Sequence, residues 1–168
     1  MRPIVTRARA IGAYEGSLRA IVHALKYQSR QTIARPLALR MRQACPEMLA
    51  GADAVVPVPL HPSRERRRGF NQAYELARHL GLPLSPALCR TRRTAAQADL
   101  PAARRHANVR GAFTIDGRAS SVTGLTVVLV DDVSTTGATI NACAAVLVAA
   151  GAREVRAFTA ARAVTRWP

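Results

Sequence analysis

Val127-Val-Leu-Val-Asp-Asp-Val-Ser-Thr-Thr-Gly-Ala-Thr139 is the stretch on which the reading of this chain turns. Its lead-in, Leu125–Val130, is apolar at alternate and intervening positions alike, the pattern of a strand buried on both faces in a parallel sheet. Such a strand delivers Asp131 and Asp132 to its C-terminal edge, where ligands bind in open α/β sheets. Asp131–Gly137 reads as a loop. Val133, Ser134, Thr135, Thr136, Gly137, Ala138 and Thr139 combine hydroxyls with a glycine that permits a tight turn. The helix expected over Ala138–Ala150 points its free N–H groups and positive dipole end at the same spot, completing a phosphate cradle. Capping that helix needs one polar residue; this segment offers two aspartates and four hydroxyls within nine positions. Two carboxylates would repel a bare phosphate. They suit a ligand that also presents a ribose diol, or one that brings Mg²⁺ with it. The ligand implied is a sugar with a 5-phosphate and a vicinal diol.

Outward from this site, strands and helices alternate. Val155–Ala160 reads as a further strand after Gly151. Upstream, Ala54–Leu60 is short, β-branched and bounded by prolines, which predicts a buried strand entering a loop. Arg64–Gly69 reads as a basic turn, and Phe70–Leu80 as a helix closed by Gly81. Short strands are expected at Leu84–Cys89 and Ala112–Ile115, separated by a polar, arginine-rich stretch. The first fifty residues read as helical: Leu18, Ile21, Val22 and Leu25 fall at helical spacing behind a Ser17 cap, and a second helix spans Thr32–Ala44. The fold class is therefore α/β, a mostly parallel sheet flanked by helices with an N-terminal helical segment. A single domain is expected over residues 1–168, with the α/β core in 51–168.

Composition narrows the function classes. The formal charge is +15, a field that attracts nucleic acid, nucleotides and pyrophosphate. Lys26 is the only lysine among 25 basic residues, so the arginine excess equally fits a codon bias, and only local clustering of arginine argues for function. Cys45, Cys89 and Cys143 are too scattered for a thiol metal site or a disulfide framework. No apolar run reaches the length of a membrane span, and the N-terminus lacks the apolar core of a secretory signal, so a cytoplasmic protein is expected.

The Asp-Asp pair and hydroxyl-rich loop resemble the phosphoribosyl-pyrophosphate (PRPP) signature of type I phosphoribosyltransferases. A second segment, Val55-Val-Pro-Val-Pro-Leu-His-Pro-Ser-Arg-Glu-Arg-Arg-Arg-Gly-Phe-Asn-Gln72, resembles the ComF (competence protein F, amidophosphoribosyltransferase-like) family. There it corresponds to the pyrophosphate side of the site, which implies that role for Pro59, Leu60, His61, Arg64 and Arg68. Arginine forks match phosphate oxygens. Thr94, Gln97, Arg104 and Asn108 resemble the flexible hood that closes over PRPP, placed at about residues 90–110. Tyr14–Arg19 and His23–Tyr27 also match. Many family members begin with a four-cysteine zinc ribbon; this chain has none, so no zinc is expected.

What the resemblance implies takes two forms. One is a PRPP-binding protein with a role in natural transformation, its partners single-stranded DNA and proteins of a DNA-uptake machinery. The other is an enzyme moving phosphoribosyl from PRPP, with Mg²⁺, to a nitrogenous base or amine in nucleotide metabolism. In the enzyme, Asp131 and Asp132 hold the ribose hydroxyls; in the DNA-handling reading the pocket is a ligand sensor or a phosphate site reused for single-stranded DNA. The residues themselves leave other roles open: His61 as a loop-shaping residue, the Arg64–Arg68 run as a solvated turn, and Lys26 either in the site or outside it.

Overall fold

The chain enters the fold through a strand, β1 (Arg7–Ala13), where the sequence reads as helical. The computed structural model describes residues 4–27, 31–92 and 107–163. β1 pairs in parallel with the last strand, β6 (Glu154–Arg162), from Arg7 opposite Arg156 to Ala13 opposite Arg162. Helical spacing holds for the next two elements, α1 (Gly16–Tyr27) and α2 (Ala34–Ala44), the latter preceded by a 3₁₀ turn at Gln31–Ile33. Ser17 lies inside α1 rather than before it.

β2 (Ala54–Pro57) pairs in parallel with β5 (Thr126–Ser134), which pairs in parallel with β6, giving the sheet order β1-β6-β5-β2. Because all four strands run the same way, the loops leaving β2 and β5 emerge at one edge. β3 (Leu88–Arg90) and β4 (Phe113–Ile115) form a separate antiparallel pair. Leu84, expected to open β3, makes only an isolated bridge to Val55.

Side-chain alternation divides the core. Val127, Leu129, Val155 and Ala157 face one buried cluster, closed by Cys143, Ala144 and Leu147 of α5 (Ala138–Ala149). Val128, Val130, Phe158 and Ala160 face the other, closed by Val22 and Leu25 of α1, Leu37 and Met41 of α2, and Leu76 of α4 (Gln72–Ala77). This is the period of 2 that a doubly covered parallel strand requires. Arg156 is buried beneath the second layer, where its Nη1 donates to the carbonyls of Ala50 at 2.6 Å and Met48 at 3.3 Å, and its Nε to Glu154 at 2.9 Å.

Two local expectations are corrected. The basic turn is a helix, α3 (Pro62–Arg68), with Pro62 in its first turn and Gly69 closing it at φ 86°. The segment after Val130 is not yet a loop: β5 continues through Asp131 and Asp132 to Ser134, because β6 keeps pairing with it as far as Arg162.

Candidate functional site

A cleft of about 780 Å³ opens at the edge where β2 and β5 end. Its floor is the end of β5 and the loop into α5, with Asp131, Asp132, Val133, Ser134, Thr135, Gly137, Ala138 and Thr139 all on the lining. The opposite wall is Pro59 and Leu60 after β2, then Arg64, Arg67 and Arg68 on one side of α3. Tyr14, just after β1, and Lys26 and Tyr27, at the end of α1, also line the cleft.

Gly137 starts α5 in the left-handed conformation, φ 76° and ψ 3°, and no side chain caps the helix. Gly137 has no side chain to cap the first N–H groups of α5, and a helix start of this kind is suited to an anion. Thr136 Oγ1 is buried without a hydrogen-bond partner among the described residues, where buried polar atoms are ordinarily paired. Thr136 itself lines a smaller cavity of about 180 Å³ behind the loop, between β1, β6 and α5.

The two carboxylates are neighbours with different surroundings. Asp131 Oδ1 accepts from the N–H of Asp132 at 2.8 Å, and Asp132 Oδ1 from the N–H of Val133 at 2.7 Å. Lys26 Nζ lies 3.0 Å from Asp132 Oδ2, with the carboxylate 3% and the lysine 19% exposed. Burial lowers the Lys26 pKa, but Asp132 and then Asp131 outweigh it and raise it above the ordinary lysine value. Asp131 is pushed up to about 8, first by burial and then by the Asp132 charge, with Lys26 opposing. Two adjacent carboxylates with one nearby ammonium cannot both ionise freely at neutral pH.

The basic wall is braced. Arg68 Nη1 donates to Gln72 Oε1 at 2.6 Å, and its guanidinium stands over the Tyr27 ring at 5.5 Å. Asn71 caps α4 and reaches back to the loop after β2. Arg90, on β3, is buried at the cleft with its guanidinium 5.1 Å from the Phe113 ring centre. Burial, then the nearby Arg64, hold its pKa below the ordinary arginine value.

The structure thus brings Asp131, Asp132, the β5–α5 loop, Pro59, Leu60, Arg64 and Arg68 into one cleft. His61 stands apart from its lining: its Nδ1 accepts from the Ser63 N–H at 3.2 Å and caps α3. Thr94, Gln97 and Arg104 lie outside the described residues, and Asn108 is described but does not line the cleft. Arg90 is a cleft residue that sequence reasoning did not single out, while Asn71 and Gln72 were read only as part of the matching segment and Arg67 only as part of the Arg64–Arg68 run. Arg67 was hidden in a run of like charges, and Arg90 at the border of a strand and an arginine-rich stretch. No helix among the described residues is long and apolar enough to cross a membrane.

Comparison with known proteins agrees with this geometry. Competence protein F of Haemophilus influenzae is 35% identical over 163 residues, covering 91% of this chain and 71% of that protein. DNA utilization protein YhgH of Escherichia coli K12 is 35% identical over 168 residues, covering 93% and 72%. Among solved structures, the allosteric regulatory enzyme of purine biosynthesis superposes with a TM-score of 0.51 at 24% identity, over 83% of this chain and 30% of that one. That likeness bears on the fold, which is the type I phosphoribosyltransferase fold. Residues 66–167 match the phosphoribosyl transferase domain. The chain belongs to the phosphoribosyl transferase domain family, among the relatives of competence protein F.

Proposed function

We propose that this protein binds PRPP or a related ribose phosphate in the cleft and serves DNA uptake in natural transformation, acting in the cytoplasm. The observation that carries the ligand is the meeting of three chemistries in one cleft: paired carboxylates, an uncapped helix start behind a hydroxyl-rich loop, and the α3 arginines. The 5-phosphate would sit on Ser134–Thr139, the ribose diol on Asp131 and Asp132, and the pyrophosphate against Arg64, Arg67 and Arg68. The competence and DNA-utilization names of the relatives carry the cellular role.

Among the described residues no group of three or more His, Cys, Asp or Glu could hold a metal alone. That suits Mg²⁺, which usually takes one or two protein carboxylates and completes its shell with waters and substrate phosphates. Asp131 and Asp132 are the residues that would hold it. When bound it would offset pyrophosphate charge.

A second reading, transfer of phosphoribosyl to a nitrogenous base or amine, is favoured by one observation. Tyr14 and Tyr27 line the cleft, and with the Arg68 guanidinium over the Tyr27 ring, Tyr14 is the ring on which an acceptor could stack. The C1–O bond to pyrophosphate would break as the C1–N bond forms, with the arginines stabilising the departing pyrophosphate and the acceptor's proton passing to water.

Calorimetric titration of PRPP, with and without Mg²⁺, tests the main reading. Binding to the wild-type protein that is lost in the Asp131→Asn/Asp132→Asn double variant is the expected result. An absence of heat in every condition would sink it. Product formation with a panel of bases and amines would add the transferase reading; binding without turnover would leave the ligand-binding one.

A further inference from the structure

The parallel sheet has two outer strands, and their far sides differ. β2 is closed: the Val55 N–H donates to the carbonyl of Pro83, and the Val55 carbonyl accepts from the N–H of Ser85, both at 2.9 Å. β1, at the opposite edge, pairs only with β6 among the described residues. Its register runs without a shift from Arg7 opposite Arg156 to Ala13 opposite Arg162, and no proline interrupts it. Arg7, Ala8 and Arg9 are exposed. Alternate N–H and C=O groups of such an edge face outward, a template that another strand can complete.

The two faces of β1 carry different chemistry. Arg7 and Arg9 are two residues apart and share a face. Arg9 Nε stands 3.8 Å from Glu47, an exposed pair that solvent screens. Glu154, the carboxylate beside Arg7, already accepts from the buried Arg156 and from Thr6, each at 2.9 Å. Three arginines thus share two glutamates, and positive charge is left over. The other face is small: Ala8 and Ala10, with Ile140 and Ala157, line the cavity of about 180 Å³ between β1, β6 and α5.

A strand laid along β1 sets its alternate side chains against these two faces. Those on one side meet the guanidiniums, and those on the other pass over the cavity. Two copies of β1 brought edge to edge would set arginines against arginines, on molecules that each carry a formal charge of +15. The residues that repel a second copy attract an acidic strand. We propose that the outer edge of β1 is a docking site for an extended segment of a partner protein in which acidic residues alternate with apolar ones. The site lies outside the cleft and does not depend on which ligand the cleft takes.

The test is titration of the isotopically labelled protein with a peptide of the length of β1 in which glutamate alternates with valine, followed by amide NMR shifts. The amides of Arg7–Ala13 should shift and saturate. Arg7→Glu/Arg9→Glu should weaken binding about tenfold, because two attractions become two repulsions. The same variant should take up the peptide with lysine in place of glutamate, which also shows that it is folded. Serine in place of valine should weaken binding to the wild-type protein, since nothing apolar then reaches the cavity. A docked strand turns every second N–H toward the edge, so N-methylation of one alternate set should abolish binding and that of the other should spare it. Equal effects of the two methylation patterns would overturn the proposal, as would equal binding of the lysine and glutamate peptides by the wild-type protein. Shifts confined to Arg64–Arg68 would overturn it by showing that acidic chains are gathered by the cleft alone. Concentration-dependent shifts of β1 without peptide would overturn it by giving the edge to a second copy.

Discussion

The side-chain amide of Asn71 donates to the carbonyl of Val58 at 3.0 Å, while its own Oδ1 accepts from the N–H of Ala73 at 3.0 Å. One buried residue therefore caps α4 and fastens it to the loop that follows β2, the loop carrying Pro59 and Leu60 into the cleft. Asn71→Ala removes both bonds and leaves a buried carbonyl without its donor. A loss of about 2 kcal/mol in unfolding free energy is expected, measured by urea titration. An unchanged midpoint would show that water replaces the amide at no cost.

Gly137 opens α5 at φ 76°, and a Cβ placed there would meet only Asn141 Nδ2 at 3.8 Å. Space is available, so the cost of Gly137→Ala is that of the backbone alone, about 1–2 kcal/mol. Chemical denaturation should show this loss. Ligand titration should show a larger one if the loop relaxes out of the left-handed conformation, since the N–H groups of α5 would then turn from the cleft.

The Asp131 carboxyl gives stability a defined pH dependence. Its ordinary value is 3.8, and in the folded protein it rises to about 8. Between these values the folded state keeps a proton that the unfolded chain has released, so stability falls as pH rises through that window. Lys26 does not oppose this, because its raised pKa changes stability only above its ordinary 10.5. The stability of the wild-type protein relative to Asp131→Asn should therefore decline from about pH 5 to about pH 8 and then level off. A difference that stays flat across that range would mean that Asp131 is already ionised.

If the protein handles single-stranded DNA, the α3 arginines separate two kinds of contact. Arg67 lines the cleft, whereas Arg66 does not and is exposed. Replacing an arginine that touches phosphate should reduce the slope of log affinity against log salt by about 1. A reduced slope in Arg67→Ala but not Arg66→Ala would put the strand in the cleft. The opposite result would put it on the outer face of α3.

Much of this architecture was legible because β5 and α5 declare themselves locally. Val127–Val130 has no polar face, and the alanine-rich stretch from Ala138 has no helix-breaking proline or glycine before Gly151. β1 was illegible for the opposite reason. Arg7-Ala-Arg-Ala-Ile-Gly-Ala13 has one β-branched residue, and its partner β6 lies near the other end of the chain. Pairing across that distance is a tertiary fact that overrides local propensity. α3 was misread although its signals were present: Pro62 in the first turn, Gly69 past the end, and a capping His61. The charge run drew attention from them.

At the site, the acidic pair and the hydroxyl loop could be read because their chemistry is contiguous in sequence. Lys26, Arg90 and Asn71 arrive from other elements, and only the packing of α1, β3 and α4 brings them to the cleft. The end of β5 was misjudged for a related reason. Asp131 and Asp132 carry no strand propensity of their own, and β6 holds them in the sheet.

The order of strands also constrains how the molecule can be made. β6 follows the other strands of its sheet in chain order, yet it lies in the interior of that sheet, between β1 and β5. During translation the earlier strands must wait, with their apolar faces and unpaired edges open, until residues 154–162 leave the ribosome. Pairings so distant in sequence form slowly, and open strand edges invite association with other chains. A nascent chain of this protein is therefore most vulnerable before residues 154–162 have emerged, and a truncation that spares the whole cleft loop but removes β6 should yield aggregate rather than a smaller folded domain.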